Sequence, residues 1–165
     1  MFIPLDFPPA KLRLTRSGSS VRVFCIIRKK QLVLTPEEWV RQHLIHFLIN
    51  QLNVPIGLIA SEMSLDINGL VRRCDVVVFN RLGKPVFLME CKAPEVVLGE
   101  QVVHQIAQYN FNWGTNYLLI TNGIKHRILA LDRANGEIKS LDEFPDFSAL
   151  IGDWSAWNLS ISCLV

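Results

Sequence analysis

The chain has 165 residues, of which half are hydrophobic and 19% are charged, and this composition supports one domain with a sizeable core and excludes a disordered chain. The longest apolar runs are far too short to span a bilayer, and prolines and an aspartate interrupt the N-terminal region where a signal peptide needs an apolar core. The four cysteines form no CxxC pair, which predicts buried thiols rather than a disulfide framework or a zinc site. We therefore expect a single cytoplasmic domain with no membrane segment.

Charge is distributed unevenly along the chain. Residues 1–34 carry seven basic side chains and one acidic one, a net charge of +6, whereas residues 35–165 carry ten basic and fourteen acidic ones, a net charge of −4. A basic segment beside an acidic body fits an arm that contacts phosphate, with Arg28, Lys29 and Lys30 as candidate nucleic-acid contacts. The alternative is a solvated hairpin whose charges only maintain solubility, and the charge pattern alone favours that alternative.

The predicted elements begin with two strands, at 11–15 and 21–27, which form an N-terminal β-hairpin. A helix runs from Thr35 to about residue 52, because Thr35 can cap it, Pro36 suits its first position and Glu38 fits a capping box. The remaining elements are strands near 57–65, 71–80 and 85–92, a helix over 98–112, a strand at 117–120, a hairpin of 126–131 and 136–141, and a short helix near 147–151 before a closing strand. This order predicts an α/β sandwich with a mixed sheet.

Two of these strands carry charged residues where burial is expected. Asp75 interrupts one strand, and Glu90 and Lys92 lie on one face of the next strand. If the two strands are neighbours, the two carboxylates approach closely and repel each other unless a cation lies between them, and hard oxygen ligands select Mg²⁺ or Mn²⁺. Lys92 beside such a metal can orient or deprotonate a water molecule and can stabilise charge on a phosphate.

A structural explanation of the same residues stays open. A glutamate and a lysine two positions apart on a strand commonly form a solvent-facing ion pair, and Asp75 could simply cap a strand end. The combination favours a metal site, because Asp75 precedes Glu90 by fifteen residues across a tight turn, and this spacing brings the two carboxylates together.

These motifs, taken in order, resemble a known nuclease family. Asp75 with Glu90-Cys91-Lys92 resembles the signature of the PD-(D/E)XK nuclease superfamily, and the helix that begins Thr35-Pro36-Glu37-Glu38 resembles its first core helix. Gln105-x-x-x-Tyr109 resembles the motif that follows the catalytic strand in the RecB-like branch. Together they resemble the N-terminal nuclease domain of type I restriction enzyme R subunits over roughly residues 24–131.

The resemblance implies a restriction-endonuclease-like core (αβββαβ, a mixed sheet flanked by helices) within one domain. In that domain residues 1–34 form basic N-terminal strands, 35–131 the nuclease core and 132–165 a C-terminal extension. The implied function is a Mg²⁺-dependent DNA endonuclease, with Mn²⁺ able to substitute, that acts on DNA as a homodimer or within a larger restriction or repair assembly. No GxxxxGK[ST] loop occurs, so no nucleotide cofactor is expected. The alternative is a non-catalytic nucleic-acid-binding or assembly module that retains the fold.

The resemblance also implies the roles of individual residues. Asp75 and Glu90 are the expected metal ligands, and Lys92 is the expected catalytic lysine. The resemblance implies that Glu38 adds a third carboxylate, directly or through water, with Glu37 and Glu62 as alternatives. It also implies that Gln105 positions the attacking water or a phosphate, that Tyr109 contacts the scissile strand and that Arg73 contacts a phosphate. Cys74 stands where the superfamily signature has proline, which is a common variation.

Overall fold

The computed structural model describes residues 3–67, 70–111, 114–132 and 135–151. Within these ranges, the side chains of residues 65–67, 70, 72, 105, 108–111 and 149 are outside the description. The closing strand predicted at the C-terminus falls beyond residue 151 and therefore outside the described residues. No helix in the described ranges is long and apolar enough to cross a membrane.

The N-terminal region forms a three-stranded antiparallel sheet instead of the predicted hairpin. Its strands are β1 (Leu14–Ser17), β2 (Ser20–Cys25) and β3 (Lys30–Val33), in that order across the sheet. Gly18 takes a φ of 60° in the first turn, and Lys29 takes a φ of 52° before β3. The third strand was not predicted because its four residues are mostly exposed and contain no apolar run of the kind that marks a strand.

The first helix, α1 (Pro36–Asn50), begins where the sequence predicts. The Thr35 hydroxyl accepts a hydrogen bond from the Glu38 backbone N–H at 3.1 Å, which satisfies one free donor of the first turn. The second half of the capping box does not form, because the Thr35 N–H donates to the Val33 carbonyl. The Glu38 carboxylate is therefore available to other partners.

A mixed six-stranded sheet forms the centre of the fold. Its strands are β4 (Ile59–Ile67), β5 (Leu70–Phe79), β6 (Pro85–Cys91), β7 (Tyr117–Thr121), β8 (His126–Asp132) and β9 (Glu137–Leu141). They lie in chain order, and every neighbouring pair is antiparallel except β6 and β7. A parallel pair needs a crossover connection, which contains α2 (Glu100–Phe111). The predicted order of helix, three strands, helix and strand is confirmed, with a short 3₁₀ helix (Ile56–Leu58) before β4 and α3 (Phe147–Ile151) after β9.

Helices cover both faces of this sheet, as predicted. On one face, α1 packs against inward-facing residues of β6 such as Phe87 and Met89. On the other face, Leu88 belongs to a second cluster with Leu98 and with Ala107 of α2. Strands that are buried on both faces have nearly continuous apolar sequences, which explains the hydrophobic runs 76–79 in β5, 86–89 in β6 and 117–120 in β7.

The alternation of side chains along β5 breaks at Asp75. Val76 packs on the α1 side and Val77 on the α2 side, yet Cys74 also packs on the α2 side, although a regular strand would place it with Val76. The described ladder between β5 and β6 ends at the pair of Val76 and Met89. Strand β5 therefore changes course at Asp75, next to the carboxyl end of β6.

The segment before β1 runs across the outside of α1 and the turn between β7 and β8. The Trp39 indole N–H donates to the Ile3 carbonyl at 3.0 Å, and the Asp6 N–H donates to the Gly123 carbonyl at 2.7 Å. Gly123 has a φ of 82°, and a Cβ at this position would lie 2.7 Å from a methyl carbon of Leu5. Glycine is therefore needed at this crossing, both for its backbone conformation and for the close approach of the segment.

Candidate active site

Three carboxylates lie in a row across neighbouring strands of the central sheet. In β4, Glu62 lies between Ser61 and Met63, whose partners in β5 are Val76 and Cys74, the neighbours of Asp75. In β6, Glu90 follows Met89, which is paired with Val76. The negative charge of Asp75 contributes to raising the pKa of Glu90, so the two groups interact. The structure thus brings together the two carboxylates that the sequence predicts to be neighbours, and it adds Glu62 to them.

The Asp75 carboxylate is held by two donors from different elements. Its Oδ2 atom accepts the Cys91 backbone N–H of β6 at 2.8 Å, and its Oδ1 atom accepts Nη2 of Arg41 on α1, also at 2.8 Å. A regular strand pair would give the Cys91 N–H a backbone acceptor. The side chain of Asp75 takes that place at the point where β5 changes course.

Glu90 and Lys92 form an ion pair beside Asp75. Lys92 Nζ lies 2.9 Å from Glu90 Oε1. Burial raises the pKa of Glu90, and the charge of Asp75 raises it further, against the opposing effect of Lys92. Burial on its own would lower the pKa of Lys92, but the hydrogen bond and charge of Glu90 outweigh it and the pKa is raised. Each of these two side chains therefore favours the charged form of the other.

A buried arginine that the sequence reasoning missed lies among these carboxylates. The side chain of Arg41 is only 5% exposed. Its Nη1 atom donates to Glu38 and lies 3.5 Å from Glu62, while Nη2 contacts Glu37 at 3.0 Å and Asp75 at 2.8 Å. Burial opposes the charged form, but the surrounding carboxylates, first Asp75 and then Glu38, raise the pKa of Arg41. The signal was its position four residues after Glu37 and three after Glu38, which places all three on one helix face.

The two glutamates of α1 are both engaged by this arginine. Glu38 is buried, with Oε2 bound by Arg41 and Oε1 bound by the Gln42 side-chain amide at 2.7 Å. Glu37 is more exposed and contacts Arg41 from the helix surface. A direct metal-ligand role for Glu38, with Glu37 as its competitor, stays a prediction.

Glu62 links the N-terminal sheet to the site. It takes a φ of 49° within β4 and forms ion pairs with Arg28, which follows β2, and with Arg73 of β5. Both arginines were predicted to contact phosphate, and both are paired with Glu62 here. Lys29 and Lys30 are exposed at the start of β3. The nucleic-acid contacts of these four residues stay predictions.

The predicted motif on α2 is only partly described. Gln105 and Tyr109 are four residues apart on α2, so they lie on one face of the helix. Their side chains are outside the described residues, and their roles in placing water, phosphate or the scissile strand stay predictions.

The prediction of buried thiols is confirmed for the three described cysteines. Cys25, Cys74 and Cys91 are buried and form no disulfide, while Cys163 lies outside the described residues. Burial raises the pKa of Cys74 to about 12, with the charges of Glu90 and Asp75 adding to the effect. The pKa of Cys91 is raised in the same direction, first by burial and then by Asp75. Both thiols are therefore protonated at neutral pH.

These observations define an α/β domain with a partly buried network of carboxylates, arginines and a lysine beside the carboxyl end of a central strand. The chain belongs to the family described as type I restriction enzyme R protein N terminus (HSDR_N), whose model matches residues 36–145. The matched span includes Asp75, Glu90 and Lys92, and the predicted resemblance to R-subunit N-terminal domains is confirmed.

Among solved structures, the chain is similar to a fragment described as an HsdR subunit of a type I restriction enzyme from Vibrio vulnificus YJ016. The sequences are 24% identical and the TM-score is 0.39. The match covers 56% of this chain and 19% of the Vibrio chain, so this domain corresponds to less than a fifth of that longer protein. No curated protein matches the sequence.

Proposed function

We propose that this domain is a Mg²⁺-dependent DNA endonuclease module with a restriction-endonuclease-like core. One observation carries the proposal: the carboxylates of Asp75 and Glu90 interact across adjacent strands and Lys92 forms an ion pair with Glu90, in a chain of the type I R-protein family. Burying two carboxylates side by side is costly unless cations compensate for their charge. Such a pair supports a cation-dependent reaction on an anionic substrate.

The donors present fit magnesium or manganese. No group of three or more His, Cys, Asp or Glu side chains within the described residues is arranged to hold a metal ion. Mg²⁺ is nevertheless usually bound by only one or two carboxylates, with water and substrate phosphate as its other ligands, and Asp75 and Glu90 supply this donor set. When bound, the metal would polarise the phosphate and lower the pKa of a bound water molecule.

The protein's own residues would then orient the substrate and stabilise charge. Lys92, held as a cation by Glu90, is placed to stabilise the negative charge that develops on the attacked phosphate. Gln105 would position the attacking water or a phosphate oxygen, and Tyr109 would contact the scissile strand. In-line attack by water on phosphorus would break the bond to the 3′ oxygen, which would leave as a 3′-hydroxyl, so that the other product would carry a 5′-phosphate. Each of these roles is a proposal based on the family signature.

The DNA would approach from the side of the N-terminal sheet. Lys29 and Lys30 are exposed there, and Arg28 joins this sheet to the carboxylate row through Glu62. Replacing Lys29 and Lys30 by glutamine should weaken DNA binding and reduce the slope of its salt dependence, because each phosphate contact releases counterions. Arg28 is left unchanged in this variant because its loss would also remove one of the ion pairs of Glu62.

A larger assembly is the proposed setting of the activity. The domain matches only 19% of the Vibrio HsdR chain, and its family is named for the N terminus of the R protein. We propose that the domain provides DNA cleavage to a restriction assembly, or cleaves both strands as a homodimer.

A second candidate function is a non-catalytic DNA-binding or assembly module. It is favoured by the arginines, since Arg41, Arg28 and Arg73 already pair with carboxylates of the cluster. A cluster neutralised in this way can serve as a purely structural ion network.

A cleavage assay separates the two functions. Supercoiled plasmid and single-stranded DNA are incubated with the protein and Mg²⁺ or Mn²⁺, with an EDTA control, and DNA retention is measured in parallel. We expect nicking or linearisation that requires the metal. DNA retention without cleavage under either metal would support the non-catalytic module, and the absence of both would contradict both candidates.

A further inference from the structure

We infer that Arg41 is a positioning residue that holds the Asp75 carboxylate in its orientation for metal binding. The part of this inference that concerns metal rests on the proposed function, whereas the part that concerns Asp75 rests on contacts within the protein. Neither the family signature nor the sequence pattern assigned Arg41 a role.

The two ends of the Arg41 guanidinium contact carboxylates from different elements. Nη1 faces Glu38 of its own helix and Glu62 of β4, while Nη2 faces Asp75 of β5 and Glu37. Its Nε atom is buried and has no hydrogen-bond partner among the described residues. The planar guanidinium is thus held through its terminal nitrogens, and it bridges α1 to the sheet in a geometry that a lysine ammonium cannot reproduce.

Asp75 is held from two sides as a result. Arg41 donates to Oδ1 and the Cys91 N–H donates to Oδ2, both at 2.8 Å. A carboxylate has about four lone-pair sites over its two oxygens, so these two donors fix its plane and still leave acceptor capacity on each oxygen. That remaining capacity is what a metal ligand requires.

Arg41 is itself fixed by its neighbours on α1. Glu38 Oε2 accepts from Arg41, and Glu38 Oε1 accepts from Gln42, which is fully buried. Gln42 thus holds Glu38, Glu38 holds Arg41, and Arg41 holds Asp75. In this arrangement Glu38 acts on the site through Arg41, which differs from the direct ligand role that the family signature implies.

An alternative role for Arg41, as a substitute for the metal, predicts the opposite change in metal affinity. If its guanidinium merely occupied the place of the metal, removing it would expose the carboxylates to metal and tighten binding. A positioning role requires that binding weaken, because groups that orient metal ligands typically contribute about 10- to 100-fold in affinity.

The first test measures Mn²⁺ and Mg²⁺ binding by calorimetry for the parent, Arg41→Gln and Arg41→Lys. Arg41→Lys keeps the charge and so guards against misfolding, yet its single nitrogen cannot bridge Glu38 and Asp75. We expect about 10- to 100-fold weaker binding in both variants. Lys139→Gln, which removes a cation from an ion pair on β9, should bind as the parent does. Unchanged or tighter binding in Arg41→Lys would overturn the inference.

The second test needs no metal and no activity. NMR measures the rate of hydrogen exchange with solvent for two neighbouring amides. The Cys91 amide donates to Asp75, and the Lys92 amide donates to the Thr121 carbonyl at 2.8 Å. We expect Arg41→Lys to accelerate exchange at Cys91 and leave Lys92 unchanged, and Asp75→Ala to do the same. If both amides keep their parent rates in Arg41→Lys, Arg41 does not hold Asp75.

The two tests also separate this inference from the proposed function. A parent protein that binds no metal contradicts the metal-dependent function, while selective exchange at Cys91 would still support the contact from Arg41 to Asp75. Metal binding and cleavage that are both retained in a folded Arg41→Lys variant would contradict the positioning role alone.

Discussion

Two Glu-x-Lys pairs occur at strands of the central sheet, and they differ in their solvent exposure and in their neighbours. Glu90 lies in β6 and Lys92 directly follows this strand, with their charged atoms 2.9 Å apart. Glu137 and Lys139 lie on β9, with their charged atoms 3.2 Å apart. The first pair has side chains 28% and 29% exposed, whereas the second has side chains 57% and 65% exposed. A similar ion pair is thus formed in two different environments.

The neighbours of each pair account for the difference. Strand β6 lies between β5 and β7 in the sheet, and Glu90 interacts with Asp75 of β5. Strand β9 is the last strand of the sheet within the described residues and pairs there with β8. An exposed pair contributes little to stability because water screens it, and a half-buried pair beside another carboxylate can shift the pKa of its members. The chemistry of a Glu-x-Lys motif therefore depends on the strand opposite it, and matched substitutions in the two pairs test this conclusion.

The largest effect is expected when Asp75 is removed, because only the first pair has this partner. Asp75→Ala deletes a proposed metal ligand and should abolish both Mn²⁺ binding and DNA cleavage. Calorimetry and the plasmid assay measure the two effects. If Asp75→Ala still cleaves plasmid at the parent rate, the two pairs do not differ in the way proposed.

The two lysines provide the next largest contrast. Lys92→Ala should lower the cleavage rate by roughly 10²–10³-fold, the usual cost of losing one preorganised electrostatic group. Metal binding should persist, since a protonated lysine is not a metal ligand. Lys139→Ala should cleave at the parent rate in the same assay. Equal rates for both variants would make Lys92 a structural ion-pair partner of Glu90.

Metal should stabilise the protein through the first pair only. A ligand that binds the folded state at 100 times its dissociation constant adds about 2.7 kcal/mol, and each kcal/mol shifts the melting temperature of a chain of this size by roughly 2–4 °C. We expect Glu90→Gln to lose this shift and Glu137→Gln to keep it, as measured by thermal melts with and without millimolar Mg²⁺ or Mn²⁺. A shift of parent size in Glu90→Gln would exclude Glu90 as a ligand.

The smallest effect concerns pH in the absence of metal. Burial and Asp75 raise the pKa of Glu90 above its ordinary value of 4.5, so between its unfolded and folded pKa values the folded protein binds more protons than the unfolded chain. The free energy of unfolding contributed by this group therefore falls as pH rises from 4.5 through the folded pKa. Glu90→Gln should lose less stability than the parent over this window, and Glu137→Gln should follow the parent. Thermal melts in EDTA from about pH 4 to 8 measure the difference, and coincident curves for all three would contradict it.

The fold could be predicted where local chemistry determines it. Thr35 and Pro36 mark the start of α1 because capping depends on adjacent residues, and the apolar runs of β5, β6 and β7 mark strands buried on both faces. Strand β3 could not be predicted, since its exposed residues pair with β2 through backbone hydrogen bonds that leave little signal in the side chains.

The site was predictable only in the part that follows from strand alternation. Asp75, Glu90 and Lys92 are close in sequence and could be placed on neighbouring strands. Arg41 precedes Asp75 by 34 residues, and their contact depends on how α1 packs on the sheet, which no local pattern specifies. Glu62 needed the register of β4 against β5, and register is determined by the assembled sheet.

The N-terminal segment that crosses α1 also has a consequence for the order of folding. Its bond from Asp6 to Gly123 closes a loop of more than a hundred residues, and contacts between positions so distant in sequence form late because the loop entropy must first be overcome. This segment, although it precedes the rest of the domain in the sequence, therefore docks late, after the turn between β7 and β8 exists. Until then, the apolar surface that Phe7 covers on Phe47 and His126 stays open to solvent, and a fusion that blocks this segment would leave it open in the finished protein.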